Sequence, residues 1–297
     1  MVEASSGVSV SRTAVQTWLL KVLQRKGMFA AEAEIVALRL LEAEQQGRGA
    51  WGLALLPELV SAMDLGDIDP RARTLTVLDL PAAAILDGST GAGQVGATKA
   101  MQLAIQKAHT AGIGMVIVKN SQPCGDVRRY AELAAQAGCI GFCTTNSGKA
   151  VLPADRPVLS VHPQAWALPA GDAHLVSLQT LDAQEPLLSP AAGARGLLSL
   201  VLTAGLTASR APYQKKKMSP YGAGAEHFCL AIQPTALQAQ EPLSTLIGEA
   251  WPQLQHSVGG WERVPVEAPA ERLMLSSAAK AAIDEVAQST RVPWLEE

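Results

Sequence analysis

An α/β fold with a helical N-terminal part is predicted by three features of the 297-residue sequence. Residues 1–74 carry apolar side chains at helical spacing, the period shortens to that of strands from Leu75, and residues 112–147 read as strand, helix, strand. In that last stretch, apolar runs at 115–118 and 139–143 flank a helical pattern, and each leads into Asn-Ser, at Asn120-Ser121 and Asn146-Ser147. Polar residues at strand exits are where α/β proteins usually place ligands. A chain of this length can bury a proper core without covalent staples.

Taken in order, the first helix has Val15, Trp18, Leu19, Val22 and Leu23 on one face, with Ser11 or Thr13 as cap and Gly27 as stop. A second helix over 30–44 turns Ile35, Leu38 and Leu41 inward, and a third over 53–65 is closed by Gly66 and the turn Asp69-Pro70. Between them, the glycine-rich elbow 44–52 presents Trp51 on a tight turn. Strands over 75–80 and 83–87 form a hairpin pair around Pro81. The loop holding Gly91, Gly93 and Gln94 leads into a helix over 94–111; its amides suit a phosphate or carboxylate, and the same composition also describes a plain loop-to-helix turn. Within the central unit, a helix over 126–136 buries Tyr130, Leu133 and Ala134.

Beyond Ser147, Pro153, Pro157, Pro163 and Pro169 punctuate short extended pieces before a helix over 192–208. A strand over 227–232, a helix over 237–254, a strand over 262–265 and a helix over 276–289 follow. The expected organisation is a helical part (1–74), a sheet core (75–208) containing the unit 112–147, a mobile linker of loop composition (209–226) and a C-terminal strand with helices (227–297) that completes the fold.

With 48% hydrophobic and 17% charged residues and a net charge of -3, the composition is that of a globular protein without a nucleic-acid or anionic-membrane surface. The basic run Lys215-Lys216-Lys217 is read as a solvated loop. The opening MVEASSGVSV lacks a signal pattern and no apolar run is long enough to span a bilayer, so a cytoplasmic protein is expected. Cys124, Cys139, Cys143 and Cys229 include no CxxC pair, and neither disulfides nor a metal site is expected.

Several ordered landmarks carry a family resemblance. They are Gly66-Asp67-Ile68-Asp69-Pro70; Leu86-Asp87-Gly88 with Gly91-Ala92-Gly93-Gln94-Val95; Lys119-Asn120-Ser121 with Tyr130-Ala131-Glu132; Thr145-Asn146-Ser147; and 226–234, EHFCLAIQP. Together they resemble the malate/L-lactate dehydrogenase family that is unrelated to the Rossmann lactate dehydrogenases, and the likeness covers most of the chain. The resemblance implies a mixed sheet of that family's type, unlike a Rossmann fold, a dimer, and NAD(P)H bound in extended form. It also places Asn120, Ser121, Asn146 and Ser147 beside substrate and nicotinamide.

The catalytic residues carry over poorly. Where the family's elbow has a proton-donating histidine, this chain has Trp51; the neighbouring serine is Ala50, and both flanking arginines are gone. An indole has no proton that titrates near neutral pH. The second active-site histidine of the family falls on Pro123, its lysine on Gly193, and its T-N-P becomes Val161-His162-Pro163. A cofactor-holding M-A-T-S segment is not recognisable.

Among the remaining candidates, His162, beside the family's T-N-P position, and Cys124 are the candidate catalytic groups. A passive turn cysteine is favoured for Cys124, and a structural role is favoured for His227. Arg128 and Arg129 could hold a substrate carboxylate, or form the solvated first turn of a helix where cations are disfavoured by the dipole. Trp51 and Pro123 would reshape the substrate pocket, while Gly91, Gly93 and Gln94 would serve a cofactor if one binds. Two readings stay open: a reductase of a small 2-oxo or cyclic 2-imino acid with a substitute donor, or a fold whose dehydrogenase chemistry has been lost or exchanged, with no cofactor. The missing residues favour the second.

Overall fold

Short caps and periodic apolar faces set the helices of the N-terminal region. In the computed structural model, which describes residues 7–147, 150–152, 159–160, 162–179, 190–210, 214, 224–237, 243–255, 260–266 and 268–294, the side chain of Ser11 accepts from the Ala14 amide at 3.3 Å. The elements run β1 (Val8–Ser11), α1 (Arg12–Arg25), α2 (Ala30–Gln45), two 3-10 turns (Gly49–Trp51 and Leu53–Leu55), α3 (Leu56–Asp64), β2 (Leu75–Asp79), β3 (Ala83–Asp87), α4 (Gly93–Ala111), β4 (Ile113–Ser121), α5 (Arg128–Gln136) and β5 (Ile140–Thr145). They continue with β6 (Ala150–Leu152), β7 (Leu159–Ser160), β8 (Gln164–Ala170), β9 (Ala173–Gln179), α6 (Pro190–Leu200) with a π-helical turn (Val201–Gly205), β10 (Ala225–Ile232), α7 (Pro234–Leu237), α8 (Leu243–Leu254), β11 (Trp261–Pro265), β12 (Arg272–Leu275) and α9 (Ser277–Thr290).

The chain divides into two units, Met1–Ala72 with Lys217–Tyr221 and Glu267–Glu297, and Arg73–Lys216 with Gly222–Val266. In the first, β1 pairs antiparallel with β12, so the two ends of the chain meet. Trp18 Nε1 donates to the Val292 carbonyl at 3.0 Å and its ring meets Trp294 edge-on at 5.7 Å.

The second unit is built on an eight-stranded sheet of order β11-β9-β8-β5-β10-β4-β3-β2. The β3–β4 pair is parallel and the other pairs of that sheet are antiparallel, which makes it the mixed sheet expected. β10 lies between β4 and β5, with His227 opposite Val118 on one side and Thr145 on the other. The two strands of the central unit therefore run parallel with a third slotted between them, and their Asn-Ser exits share one end of the sheet. One face packs under α4 and α5 through Ala97, Met101, Tyr130, Val116, Cys143 and Cys229. Small residues permit close approach: a Cβ on Gly114 would sit 1.9 Å from the Ala104 carbonyl oxygen. The other face carries Ile117, Phe142 and Phe228, with Met115, Trp166, Leu202 and Leu230 packed against them.

The expected hairpin around Pro81 forms, with Leu80 N donating to Ala83 O at 2.8 Å. The third helix opens as a 3-10 turn, and the helix expected over 237–254 is replaced among the described residues by α7 and α8. The long β8–β9 hairpin and the β1–β12 pair were not foreseen as strands. Much of the expected linker 209–226, the run Lys215-Lys216-Lys217, Pro153, Pro157 and Val161 lie outside the described residues. Among those residues no helix is long and apolar enough to cross a membrane.

Candidate functional site at the exits of the central strands

Backbone geometry shapes the first exit. Asn120 adopts φ +53°, a left-handed conformation that Asn tolerates better than most residues, and this breaks the in-out alternation of β4. Ser121 turns inward as a result, 2% exposed, while Asn120 stays at the surface with Nδ2 donating to Asp87 Oδ1 at 3.1 Å. Three glycines make room for the turn that follows. A Cβ on Gly88 would meet Ser121 Cβ at 2.9 Å, one on Gly96 would meet Ser121 Oγ at 3.1 Å, and one on Gly93 would lie 1.9 Å from the Gln122 carbonyl oxygen and 2.5 Å from that of Pro123. The glycine loop thus grips the chain's own turn by its main chain.

The second exit is tied to β10 by a fully partnered polar chain. Thr145 Oγ1 donates to the Glu226 carbonyl at 2.9 Å, so its lone pairs accept from His227 Nδ1 at 3.0 Å and from the Ser147 amide at 3.3 Å. Nδ1 of His227 therefore donates, and Nε2 lies 3.2 Å from Ser121 Oγ. Asn146, wholly buried, donates through Nδ2 to Glu226 Oε2 at 2.7 Å and accepts from the Glu226 amide at 2.8 Å. A serine hydroxyl aimed at a histidine nitrogen is the first half of a nucleophile pair. Here both groups are sealed in the interior and act as a brace between strands.

One step beyond this brace, Thr144 Oγ1 donates to the Pro163 carbonyl at 2.9 Å and meets Ser199 Oγ at 2.8 Å. Gln164 Nε2 reaches Ser199 Oγ at 2.7 Å and the Arg195 carbonyl at 3.0 Å. His162 precedes these residues with φ +39° and 3% exposed, and its ring nitrogens make no well-formed hydrogen bond among the described residues, the Thr145 backbone acting on the ring only loosely. Burial pushes its imidazole down to about 4, with the Thr145 backbone opposing weakly.

The remaining predicted residues are placed as follows. The Arg128 guanidinium forks onto Asp126, Nε lying 2.9 and 3.0 Å from the two carboxylate oxygens and a terminal nitrogen 2.9 Å from Oδ2. Arg129 pairs with Glu132 inside the protein. These two carboxylates settle the charge mismatch at the start of α5, and sequence reasoning passed over both although they lie two before and three after the arginines. Cys124 is 2% exposed and burial holds its thiol well above the ordinary range, so no reactive thiolate forms. Pro123 and Ser147 are half-buried. Trp51 belongs to the first unit, 42% exposed on its 3-10 turn. The elbow beneath it is organised by Glu44, whose Oε1 accepts from the Leu53 amide at 2.8 Å and would lie 2.7 Å from a Cβ on Gly52. Glu226, Gln164 and Ser199 were also missed, because polar residues within apolar runs give no periodic signal.

Residues 10–179 match the sequence profile described as malate/L-lactate dehydrogenase. The chain belongs to the malate/L-lactate dehydrogenase family. Within this family, it is 34% identical over 151 residues to the L-sulfolactate dehydrogenase of Methanocaldococcus jannaschii, a match covering 50% of this chain and 44% of that protein. It is 35% identical over 176 residues to the malate dehydrogenase of Pyrococcus abyssi, covering 58% and 49%. A Delta(1)-pyrroline-2-carboxylate/Delta(1)-piperideine-2-carboxylate reductase of Pseudomonas putida is 29% identical over 171 residues, covering 57% and 50%. The matched segments thus span about half the length of these curated relatives. The family fold extends further: the malate dehydrogenase of Pyrococcus horikoshii OT3 superposes with a TM-score of 0.79 over 98% of this chain and 97% of that one at 22% identity.

Whether the family's cofactor suits this chain can be asked of Gly91, Gly93 and Gln94. Gly91 and Gln94 are buried, and the Cβ side of Gly93 faces the Gln122 and Pro123 carbonyls. A carbonyl lining repels phosphate oxygens.

Proposed function

We propose that this chain is a divergent member of the malate/L-lactate dehydrogenase family whose hydride-transfer site is degenerate, and that it acts as a repurposed small-molecule enzyme or a non-catalytic homologue. The observation that carries this reading is the saturation of the polar strand exits: Ser121, Thr145 and Asn146 are bound to His227 and Glu226, and the Arg128 fork is taken by Asp126. Groups already bonded inside the protein have little capacity left to orient a substrate or to donate a proton. The replacement of the family's histidines by Trp51 and Pro123 supports it further.

One observation favours a second reading. His162 is buried beside the exits without a well-formed hydrogen bond at either ring nitrogen among the described residues, as a substitute donor for an NAD(P)H-dependent reductase of a small 2-oxo or cyclic 2-imino acid would be. Titration with NADH and NADPH, followed by cofactor fluorescence, separates the two. No saturable binding up to about 1 mM is expected; a dissociation constant of about 1–100 µM would sink the degenerate reading and favour the reductase.

A further inference from the structure

Away from the strand exits, the second unit holds a cavity of about 290 Å³ between α8, the β8–β9 hairpin and β11. Gln164, at the exits, and Ala170, in the cavity wall, stand at opposite ends of β8, about 20 Å apart. The inner wall is apolar: Ala170, Leu175 and Ile247 form a buried cluster with half-buried Trp251 packed against it. Arg263 lines the same cavity, because Arg263 and Leu175 are register partners on β11 and β9 and share a face of the sheet. Among the described residues its guanidinium, 46% exposed, is engaged through Nη2 by Asp172 Oδ1 at 2.6 Å. Asp172 is 85% exposed, so this ion pair is solvated and exchanges readily. Helix α8 departs from good helix chemistry where it meets the cavity. Gly248 and Pro252 both line it; glycine weakens a helix interior, and proline has no amide to give the Gly248 carbonyl. No atom lies within 4 Å of a Cβ built on Gly248, so packing does not demand the glycine. The pair keeps that wall thin and leaves a carbonyl acceptor in it.

We propose that this cavity is a binding site for a small carboxylic acid with an apolar ring, separate from the strand exits. The ring lies against Leu175, Ile247 and Trp251, and the carboxylate takes the N–H groups of Arg263 that Asp172 leaves open. A guanidinium presents its donors in a plane that matches a carboxylate, and Asp172 occupies only one of its nitrogens. Apolar walls with a few placed polar groups are the usual lining of small-molecule sites, and about 290 Å³ is near their lower limit, too small for a dinucleotide. A cation is disfavoured by Arg263, and a neutral apolar molecule leaves the guanidinium donors unused. The inference is independent of the chemistry at the strand exits and of whether a nicotinamide binds.

Benzoate is the probe, with benzyl alcohol as its neutral counterpart, on the full chain labelled with fluorotryptophan so that each of the six tryptophans gives its own fluorine resonance. Trp251→Phe and Trp166→Phe assign the two resonances that matter, Trp251 in the cavity wall and Trp166, which packs on Phe142 towards the exits. Benzoate should shift the Trp251 resonance with a dissociation constant of about 0.1–1 mM and leave Trp166 unmoved. Benzyl alcohol should bind about tenfold more weakly. Arg263→Gln should weaken benzoate by about tenfold and leave benzyl alcohol unchanged. Asp172→Asn removes a competing carboxylate and should tighten benzoate by about threefold. Both side chains are exposed, so each variant keeps the fold. A Trp251 resonance that stays in place up to about 20 mM benzoate, or a larger response at Trp166, would overturn the site. Equal affinity for benzoate and benzyl alcohol, or benzoate binding unchanged in Arg263→Gln, would overturn recognition of the carboxylate, and no tightening in Asp172→Asn would overturn the exchange with Asp172.

Discussion

Gly93 and His162 show how much of the candidate site rests on single residues. A methyl group at position 93 would overlap two backbone carbonyls that no side-chain rotation can move. Gly93→Ala should therefore lower stability by about 3 kcal/mol, read as a shift of the urea midpoint. Gly193→Ala, in α6 with nothing within 4 Å of the new methyl, should instead raise it by about 0.5–1 kcal/mol. His162 makes a different contribution. Its imidazole titrates near 6.5 when unfolded and near 4 when folded, so between these values the unfolded chain binds more protons and stability falls as pH drops. The urea midpoint should decline from about pH 6.5 towards pH 4, and His162→Phe should flatten that decline. An unchanged slope in the variant would locate the acid sensitivity elsewhere.

At the scale of elements, α5 begins with two cations at the end of a helix that repels them, and Asp126 resolves the conflict by capping the Arg128 amide at 3.0 Å while holding its guanidinium. Asp126→Asn leaves a half-buried guanidinium short of its counter-ion and should cost about 3 kcal/mol by thermal or urea unfolding. Arg128→Gln should cost a similar amount, because the carboxylate it deprives of the fork is itself only 2% exposed. Elements with a strong period were legible in the sequence: α1 follows from Val15, Trp18, Leu19, Val22 and Leu23 on one face, all of them buried. The β8–β9 hairpin was not, since both faces of β8 are covered and Ala165, Ala167, Leu168 and Ala170 show no alternation to read. At the site, Asn120, Ser121 and Asn146 were identifiable as exit residues. Their saturation was not, because Glu226 lies 80 residues from Asn146, and only the slot taken by β10 brings the two together.

For the whole molecule, the first unit closes only when the last strand and helix return to the N-terminal helices. Pairing of β1 with β12 spans most of the chain, a separation that neither composition nor local period reveals. Truncation after Val266 removes β12, α9 and the Val292 carbonyl that holds Trp18. Trp18 should then become solvated, seen as a red-shifted emission, and residues 1–72 should be cut by trypsin. The eight-stranded sheet lies entirely before that point and should keep its strand signature in circular dichroism.

The grip of Gly93 on the turn at Gln122 and Pro123 has a consequence for redesign. Because Gly93 meets main chain there, its close fit does not depend on the side chain at position 123. A change of side chain at position 123 should therefore leave the Gly93 contact intact, much as a socket accepts different tools without being remade. A reactive group could be installed there or removed at little cost in folding, and a lineage could pass between chemistries through stable intermediates.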